Sequence, residues 1–312
     1  MAFHVAERCN MKILVITSSI DYTVDYIISN YTKVDFYRVN IDMFDRYRLL
    51  ISPDGWSIES DSGKILSDQV KSIYYRKPML PYLGQFEMPY RTMIGQDIIS
   101  TINGIADAFD GLVLTRPSVL RKTENKVYQM QKLRKCQIPF PASLIGNVPD
   151  MDFGLEARNK IIKPLTQGKL DLGDKFEFFQ TSVLTNPVGD ISLTPIYLQE
   201  MVKKAYEVRI TCLDKYLWPV RIDSSDPIDW RKSTAKNRYE LIDVPDHIRE
   251  MCQNVLKEFG LWFGAFDFIV TPDDEWIFLE VNPNGQWLWL ENLLNLDMSK
   301  RLVEFLNRGV FS

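Results

Sequence analysis

Phe263-Gly-Ala-Phe-Asp-Phe-Ile-Val270, then a short turn, then Trp276-Ile-Phe-Leu-Glu-Val-Asn-Pro-Asn-Gly-Gln286, is the stretch that decides the fold of this chain. Both halves are dense in aromatic and β-branched residues, the composition of strands. Between them Pro272-Asp-Asp-Glu275 has the chemistry of a four-residue hairpin loop. That loop predicts Val270 opposite Ile277 and Phe268 opposite Leu279, which sets Asp267 opposite Glu280. Asn282, two residues on, falls on the same face because strand side chains alternate. Phe266, Phe268, Leu279 and Val281 are then expected on the other face, as core. Two facing carboxylates repel, and burying them unpaired is costly. A divalent cation resolves the conflict, since two carboxylates and an amide oxygen are hard donors that suit Mg²⁺. The plainer reading, a hairpin whose polar side faces water, leaves Pro283-Asn-Gly-Gln286 without a reason.

The whole chain bounds what such a site can be. Its 312 residues allow two domains, or one with clear subdivisions, around a sizeable core. A formal charge of −4 argues against broad nucleic-acid affinity. Cys9, Cys136, Cys212 and Cys252 are scattered without CxxC spacing and no secretory signal precedes them, so they read as reduced thiols of a cytoplasmic protein. No apolar run approaches the ~20 residues a membrane span needs. His4 and His247 are the only histidines, which removes His-based zinc sites and Ser-His-Asp catalysis. Residues 1–10 carry no pattern, precede a second Met and read as an extension.

From Lys12 the chain opens as α/β. Lys12-Ile-Leu-Val-Ile-Thr17 is a buried-strand run, Asp21 to Asn30 a helix, and Val34 to Val39 a second strand, so a parallel sheet is expected. No glycine-rich turn follows the first strand, which excludes the dinucleotide fingerprint. Trp56–Ser60 with Gly63–Leu66 reads as a hairpin, Ser72–Pro78 as a strand, Tyr90–Phe109 as a helix and Leu112–Thr115 as the last strand of an N-terminal domain. Arg76, at a strand end, is placed equally well as an anion ligand or in a surface ion pair. Ser118 is suited to cap a helix running to about Cys136, with Leu120, Val127, Met130 and Leu133 as its apolar stripe and Lys126 at the edge.

Farther on, Lys160 to Leu165 is a strand that ends with Lys163 ahead of a loop holding Gly168 and Gly173, a setting that brings ammonium and backbone N–H groups to phosphates. No GxxxxGK[ST] occurs. Pro195 to Val202 is a strand with Gln199-Glu-Met-Val202 at its end. Glu207 and Arg209, two apart, share a strand face. Leu217–Ile222 is a further strand and Asp229-Trp-Arg231 lies in a polar connection. Pro245–Phe259 is a helix stopped by Gly260, and a last helix, capped by Asp297 and packing Leu302, Phe305 and Leu306 inward, ends at Gly309.

Taken together these elements resemble the ATP-grasp ligases, and among them the macrocycle-forming peptide ligases of microviridin-type (graspetide) pathways, over roughly Lys12 to Arg308. Tyr75-Arg-Lys-Pro78 looks like the signature ending that family's N-terminal domain. Arg121-Lys-Thr-Glu-Asn-Lys126 is similar to the element carrying a first ATP lysine, and Ile162-Lys-Pro164 to that carrying the second. Gln199-Glu200-Met201-Val202 looks like the hinge that reads adenine. Glu280-Val-Asn-Pro-Asn-Gly-Gln-Trp287 is the nearest match; its Glu280 and Asn282, with Asp267, correspond to metal ligands. Glu207-Val-Arg209 resembles an acid-x-Arg strand whose arginine meets phosphate and whose acid meets ribose. Asp229-Trp-Arg231 is similar to an element near the substrate. Arg221 stands where a small or apolar residue is expected and is given no role.

The resemblance implies an ATP-grasp fold with an N-terminal parallel-sheet (pre-ATP-grasp) domain: residues 11–116, then a central subdomain 117–198, then a C-terminal subdomain 199–312 with the metal site. It implies ATP and Mg²⁺ as cofactors, with Lys126, Lys163 and Arg209 neutralising phosphates, and Lys163, Arg209 and Arg231 at the reacting phosphoryl group. A peptide Asp or Glu side chain attacks the γ-phosphorus, and a Ser or Thr hydroxyl or a Lys amine of the same peptide captures the acyl phosphate. Such chemistry asks for positioning and charge stabilisation, not a His or Cys nucleophile. Because acyl phosphates hydrolyse, the glycine-bearing loop after Lys163 is a reasonable lid. A precursor peptide with a leader segment and a homodimer are implied as well; nucleic acid and membrane are not. Two rivals are an ATP-grasp carboxylate–amine ligase that adds amino acids to a peptide or protein tail, and a non-catalytic ATP-binding module. The Asn-Pro-Asn-Gly-Gln-Trp extension argues against the first, the full Asp267, Glu280 and Asn282 set against the second.

Overall fold

A computed structural model describes residues 11–148, 151, 160–166, 169–171, 176–178, 181–184, 190–231 and 235–309; the extension 1–10 and the loop glycines Gly168 and Gly173 lie outside them. The chain forms two compact units, one made of residues up to Leu120 together with those from Gln286 on, the other of Arg121–Gly285.

The first unit is built on β1 (Lys12–Thr17), an apolar run buried along almost its whole length, as a strand covered on both faces must be. Asp21 caps α1 (Tyr22–Asn30), its Oδ1 accepting from Thr23 N at 3.1 Å and Val24 N at 3.3 Å. After β2 (Phe36–Asn40) come a meander of β3 (Arg48–Ser52), β4 (Gly55–Ser60) and β5 (Gly63–Leu66), then β6 (Val70–Tyr75), α2 (Met88–Ala108) and β7 (Leu112–Leu114). The parallel sheet has the order β2-β1-β6-β7. Ile98, Ile102, Ile105 and Ala106 of α2 share one core with Ile16, Val39 and Ile73 of the sheet and Ile58 and Ile65 of the meander. β3 has no signal in the sequence because most of its residues are exposed and show no alternation.

Where one helix is expected from Ser118, the structure has two, α3 (Pro117–Thr123) and α4 (Lys126–Lys135). Ser118 is no cap; its hydroxyl donates to Asp107 Oδ1 at 2.8 Å. Asn125 caps α4 instead, its Oδ1 accepting from Tyr128 N at 3.0 Å. Val127, expected inside, is 38% exposed, and Gln129 is buried in its place. The break makes Lys126 the first residue of α4.

The second unit continues with β8 (Ser143–Gly146), β9 (Lys160–Lys163), the pair β10 (Lys169–Asp171) and β11 (Phe176–Phe178), β12 (Ser182–Val183) and β13 (Ile196–Glu200). An antiparallel sheet runs β12-β9-β13-β8. Next come β14 (Tyr206–Leu213), β15 (Tyr216–Ser224), β16 (Asn237–Leu241), α5 (Asp246–Phe259), β17 (Phe263–Val270) and β18 (Trp276–Asn282). These strands form a second antiparallel sheet, β16-β15-β14-β17-β18. One face packs Ile210, Phe266, Phe268 and Phe278 under α5, which ends at Gly260 with φ +67°, as its sequence predicts. Gln129 of α4 ties itself to β18 by donating to Val281 O at 2.9 Å and accepting from Val281 N at 3.2 Å.

After β18 the chain returns to the first unit through α6 (Leu288–Leu294), which the sequence did not signal, and α7 (Met298–Arg308). Ser72 of β6 donates to Leu306 O at 2.8 Å, and Leu302, Phe305 and Leu306 are buried as expected. Asp297 sits at the N-cap but makes no capping bond; its Oδ2 accepts from Arg301 Nε at 2.9 Å. Gly309 ends the helix with φ +71°.

Candidate functional site

The β17–β18 hairpin does set Asp267 opposite Glu280, but by a different register from the simple one. Val270 pairs with Trp276 and Phe268 with Phe278, and an irregularity between Asp267 and Phe268 restores the Asp267–Glu280 pair. The turn closes one residue tighter than expected, between Thr271 and Glu275. Thr271 N donates to Glu275 O at 3.0 Å, Asp274 N to Thr271 O at 3.0 Å, and Asp274 turns with φ +60°. The extra residue appears on β18 as a bulge at Leu279. Phe278 therefore takes the core position, and Leu279 lines the same cavity as Glu280.

That cavity, of about 240 Å³, lies in the second unit between the two antiparallel sheets' residues and has two chemically distinct ends. Lys126, Lys163, Asp229, Arg231, Asp267 and Glu280 form a charged end; Ile161, Met201, Val202, Ile269 and Leu279 form an apolar one. Gln199, Glu200 and Glu207 complete the wall. At the charged end cations hold the carboxylates. Arg209, buried and paired across the ladder with Asp267, donates from Nη1 to both of its oxygens at 2.9 and 2.8 Å. Arg231 Nη2 donates to Asp267 Oδ2 at 2.7 Å and stands 3.7 Å from Glu280 Oε1. Lys126 Nζ donates to Glu280 Oε2 at 2.8 Å.

These neighbours shift the titrations. Lys126 above all, with Arg231 and Lys163, outweighs burial and holds the Glu280 carboxyl well below the usual carboxylate range. Burial works against the Arg231 charge, but Asp267, Glu280, Asp229 and Glu207 overcome it and raise its pKa. Lys163 is pulled down to about 8, first by burial and then by Lys126 and Arg231, with Glu280 and Asp267 opposing. Glu207 is raised by burial, and its ion pair with Lys204 works the other way.

Of the residues singled out from the sequence, Lys126, Lys163, Gln199, Glu200, Met201, Val202, Glu207, Arg231, Asp267 and Glu280 meet at this cavity. Arg209 touches it through Asp267. Asn282 is exposed, its Oδ1 accepts from Asn284 N at 3.0 Å, and it lines a neighbouring cavity that it shares with Glu280 and Lys126. Arg76 is neither an anion ligand nor a surface ion pair: it is 1% exposed, lies 3.2 Å from Asp21 and donates to Gln286 Oε1 at 2.6 Å. The Pro-Asn-Gly-Gln run thus has structural reasons. Gly285 in particular leaves no room for a side chain, because a Cβ would stand 2.6 Å from Ala265 Cβ and 2.8 Å from Arg209 Nη2. Arg221, given no role, lays its guanidinium 3.9 Å over the Tyr206 ring and bonds Asp223. Ile161 and Ile269 were missed, although each lies two residues from a chosen partner, Lys163 and Asp267, and so on the same strand face. Leu279 had no signal, since a bulge breaks the alternation.

Two groups of donors and acceptors bear on what the cavity holds. Among the described residues no cluster of three His, Cys, Asp or Glu side chains could hold a metal alone. The two carboxylates with the Asn282 amide oxygen fit instead a hard cation that takes its remaining ligands from water and phosphate, the habit of Mg²⁺. Buried Gln199 donates to Tyr197 Oη at 2.9 Å and Ser143 Oγ at 3.1 Å, while its Oε1 has no partner among the described residues. That leaves an acceptor on a residue of the cavity wall.

A mixed α/β chain with this pairing of a parallel-sheet unit and two antiparallel sheets has the ATP-grasp fold. It is similar along nearly its whole length to macrocyclase MdnC of Microcystis aeruginosa MRC, solved with precursor peptide MdnA (24% identity, TM-score 0.83, 96% of this chain and 100% of that one). It is similar also to macrocyclase MdnB of the same organism (25% identity, TM-score 0.78, 95% and 99%). A third is a RiPP-associated ATP-grasp ligase of Chryseobacterium gregarium, solved with ADP and a leader and core peptide (22% identity, TM-score 0.83, 96% and 98%). No protein-family model and no curated protein matches the chain.

Proposed function

We propose that this chain is an ADP-forming peptide ligase that phosphorylates Asp or Glu side chains of a ribosomal precursor peptide and closes them onto Ser or Thr hydroxyls, as esters, or onto Lys amines, as amides. The observation that carries the reading is the two-ended cavity: an apolar slot that ends against clustered cations held by Asp267 and Glu280. A nucleotide has the matching polarity, a flat base at one end and an anionic chain at the other.

In this reading Met201 and Val202, with Ile161, Ile269 and Leu279, enclose adenine, and Gln199 and Glu200 belong to the same segment. Residues 201–204, which follow β13 directly, belong to no strand. Glu207 meets ribose. Asp267, Glu280 and Asn282 hold Mg²⁺, which neutralises phosphate charge. Lys126 and Arg231 exchange their carboxylate partners for phosphate oxygens as nucleotide and metal arrive, and Lys163 and Arg209 stabilise the transferring phosphoryl group. The acyl phosphate forms on the peptide, and an intramolecular hydroxyl or amine displaces phosphate.

Likeness to two macrocyclases and a ligase solved with leader and core peptides supports a leader-bearing peptide substrate over free amino acids. We extend the proposal to subdomains at 117–198 and 199–312, to a homodimer and to action in the cytoplasm. The test is the reaction. With ATP, Mg²⁺ and the precursor peptide encoded beside its gene, the chain should release ADP and phosphate and lower the peptide mass by one water per bond. Hydroxide reopens esters and spares amides. A gain in peptide mass would point to amino-acid addition, and AMP would contradict the ATP-grasp chemistry.

A further inference from the structure

A second cavity, of about 670 Å³, lies beyond the Lys126–Glu280 pair, and both of these residues line it as they line the first. Whatever occupies it meets the charged end of the first cavity. Lys126 and Glu280 satisfy each other at 2.8 Å. Beyond that pair the wall carries one cation, Arg121, and one acid, Glu124, with Asn125, Gln129, Thr166 and Asn282 among its neutral polar members. Arg121 is exposed and has no ion-pair or hydrogen-bond partner among the described residues; Glu124, on the same wall, is engaged in an interaction of its own. A guanidinium left open in a cavity beside the phosphate end is a carboxylate receptor, because its fork of donors matches a carboxylate in two parallel bonds. The volume is in the range of ligand cavities, ~300–1,000 Å³, and exceeds what one side chain fills.

We propose that this cavity takes the peptide segment bearing the carboxylate to be phosphorylated, and that Arg121 selects that carboxylate over its neutral amide counterpart. The proposal rests on the ligase reading and adds to it the acceptor's place and its selecting residue. Arg121 holds the acidic side chain on the far side of the Lys126–Glu280 pair, so the carboxylate approaches the phosphates from the end opposite the base. Asn125 and Asn282 flank it with neutral hydrogen-bonding groups that suit peptide backbone.

The probes are fluorescein-labelled oligoglutamate and oligoglutamine of equal length, titrated by anisotropy into the full chain loaded with a non-hydrolysable ATP analogue and Mg²⁺. Wild type should prefer oligoglutamate. Arg121→Gln should weaken oligoglutamate binding about tenfold or more, the loss expected for one charge-assisted contact, and abolish the preference, with Arg121→Lys intermediate. Affinity for the ATP analogue, read by calorimetry, should stay within about twofold in both variants, which also reports that they are folded. Equal binding of the two probes by wild type, no binding of either, or unchanged oligoglutamate binding by Arg121→Gln would overturn the proposal. So would a loss confined to the ATP analogue, which would make Arg121 a phosphate ligand. Failure of the ligase reading shows separately, as a wild-type chain that binds no ATP analogue at all.

Discussion

Asp267 is bonded by Arg209 and Arg231 at once, and Arg209 is as buried as the carboxylate it serves. Asp267→Ala strands a buried guanidinium, so it is expected to cost about 3–5 kcal/mol of stability. Glu280 is different: its side chain is 31% exposed and its partner Lys126 is 22% exposed. Glu280→Gln should cost less stability than Asp267→Ala, because water reaches and screens the pair, and still remove ATP turnover. Urea denaturation beside an ADP-release assay separates the two; near-normal turnover in Glu280→Gln would remove that residue from the metal site. Lys163 gives a pH signature. Burial lowers its pKa to about 8, so between about 8 and the ordinary 10.5 the unfolded chain binds more protons than the folded one. Stability contributed by this group therefore rises with pH through that window, and below it the buried charge is a burden. Phosphates favour the ammonium, so nucleotide binding above about pH 8 should take up a proton and weaken as pH climbs. Calorimetry in buffers of different ionisation heat measures that uptake, which Lys163→Met should lack.

At the scale of elements, the bulge in β18 divides two neighbouring side chains between stability and ligand. Phe278 is fully buried with its ring edge-on to Phe268 and Phe266, and Phe278→Ala should cost about 3–5 kcal/mol. Leu279 is half-buried on the cavity wall. Leu279→Ala should cost about 1 kcal/mol or less of stability, well under the loss at a filled core position, and raise the KM for ATP severalfold. Denaturation midpoints and ATP kinetics on the pair test this, and the regular register predicts the opposite order. The same kind of local event sets Lys126. A continuous helix from Ser118 would carry it on a stripe edge, whereas the Asn125 cap restarts the chain and makes Lys126 the first residue of α4, bonded to Glu280.

Across the whole molecule, order along the chain and order in space part company. Residues from Gln286 on belong with the N-terminal parallel sheet, where Gln286 meets Arg76 and α7 packs on β6. The described residues that line the two cavities all come from Arg121–Gly285. Within that unit the charged end draws on a helix start, a strand end, a turn and two facing strands, separated by as many as 154 positions in the case of Lys126 and Glu280.

What the sequence determined by itself is what short-range periodicity encodes. Lys12–Thr17 announces a buried parallel strand, Glu207 and Arg209 announce a shared face, Gly260 and Gly309 announce helix ends, and the hairpin announces that Asp267 faces Glu280. These follow from alternation and from backbone preferences that each residue carries with it. The tertiary structure alone decided the rest. An extra residue slips into a strand only where the sheet's twist and core packing accept it, so Leu279 left the core and Phe278 entered. Arg76 reads as a strand-end cation until Asp21, Thr23 and Gln286 close over it. Arg121 reads as one more basic residue in Arg-Lys-Thr-Glu-Asn-Lys until a cavity is seen to open beside it. In each case the deciding partner lies far off in the chain, and periodicity carries no information about which distant atoms will share a dry space.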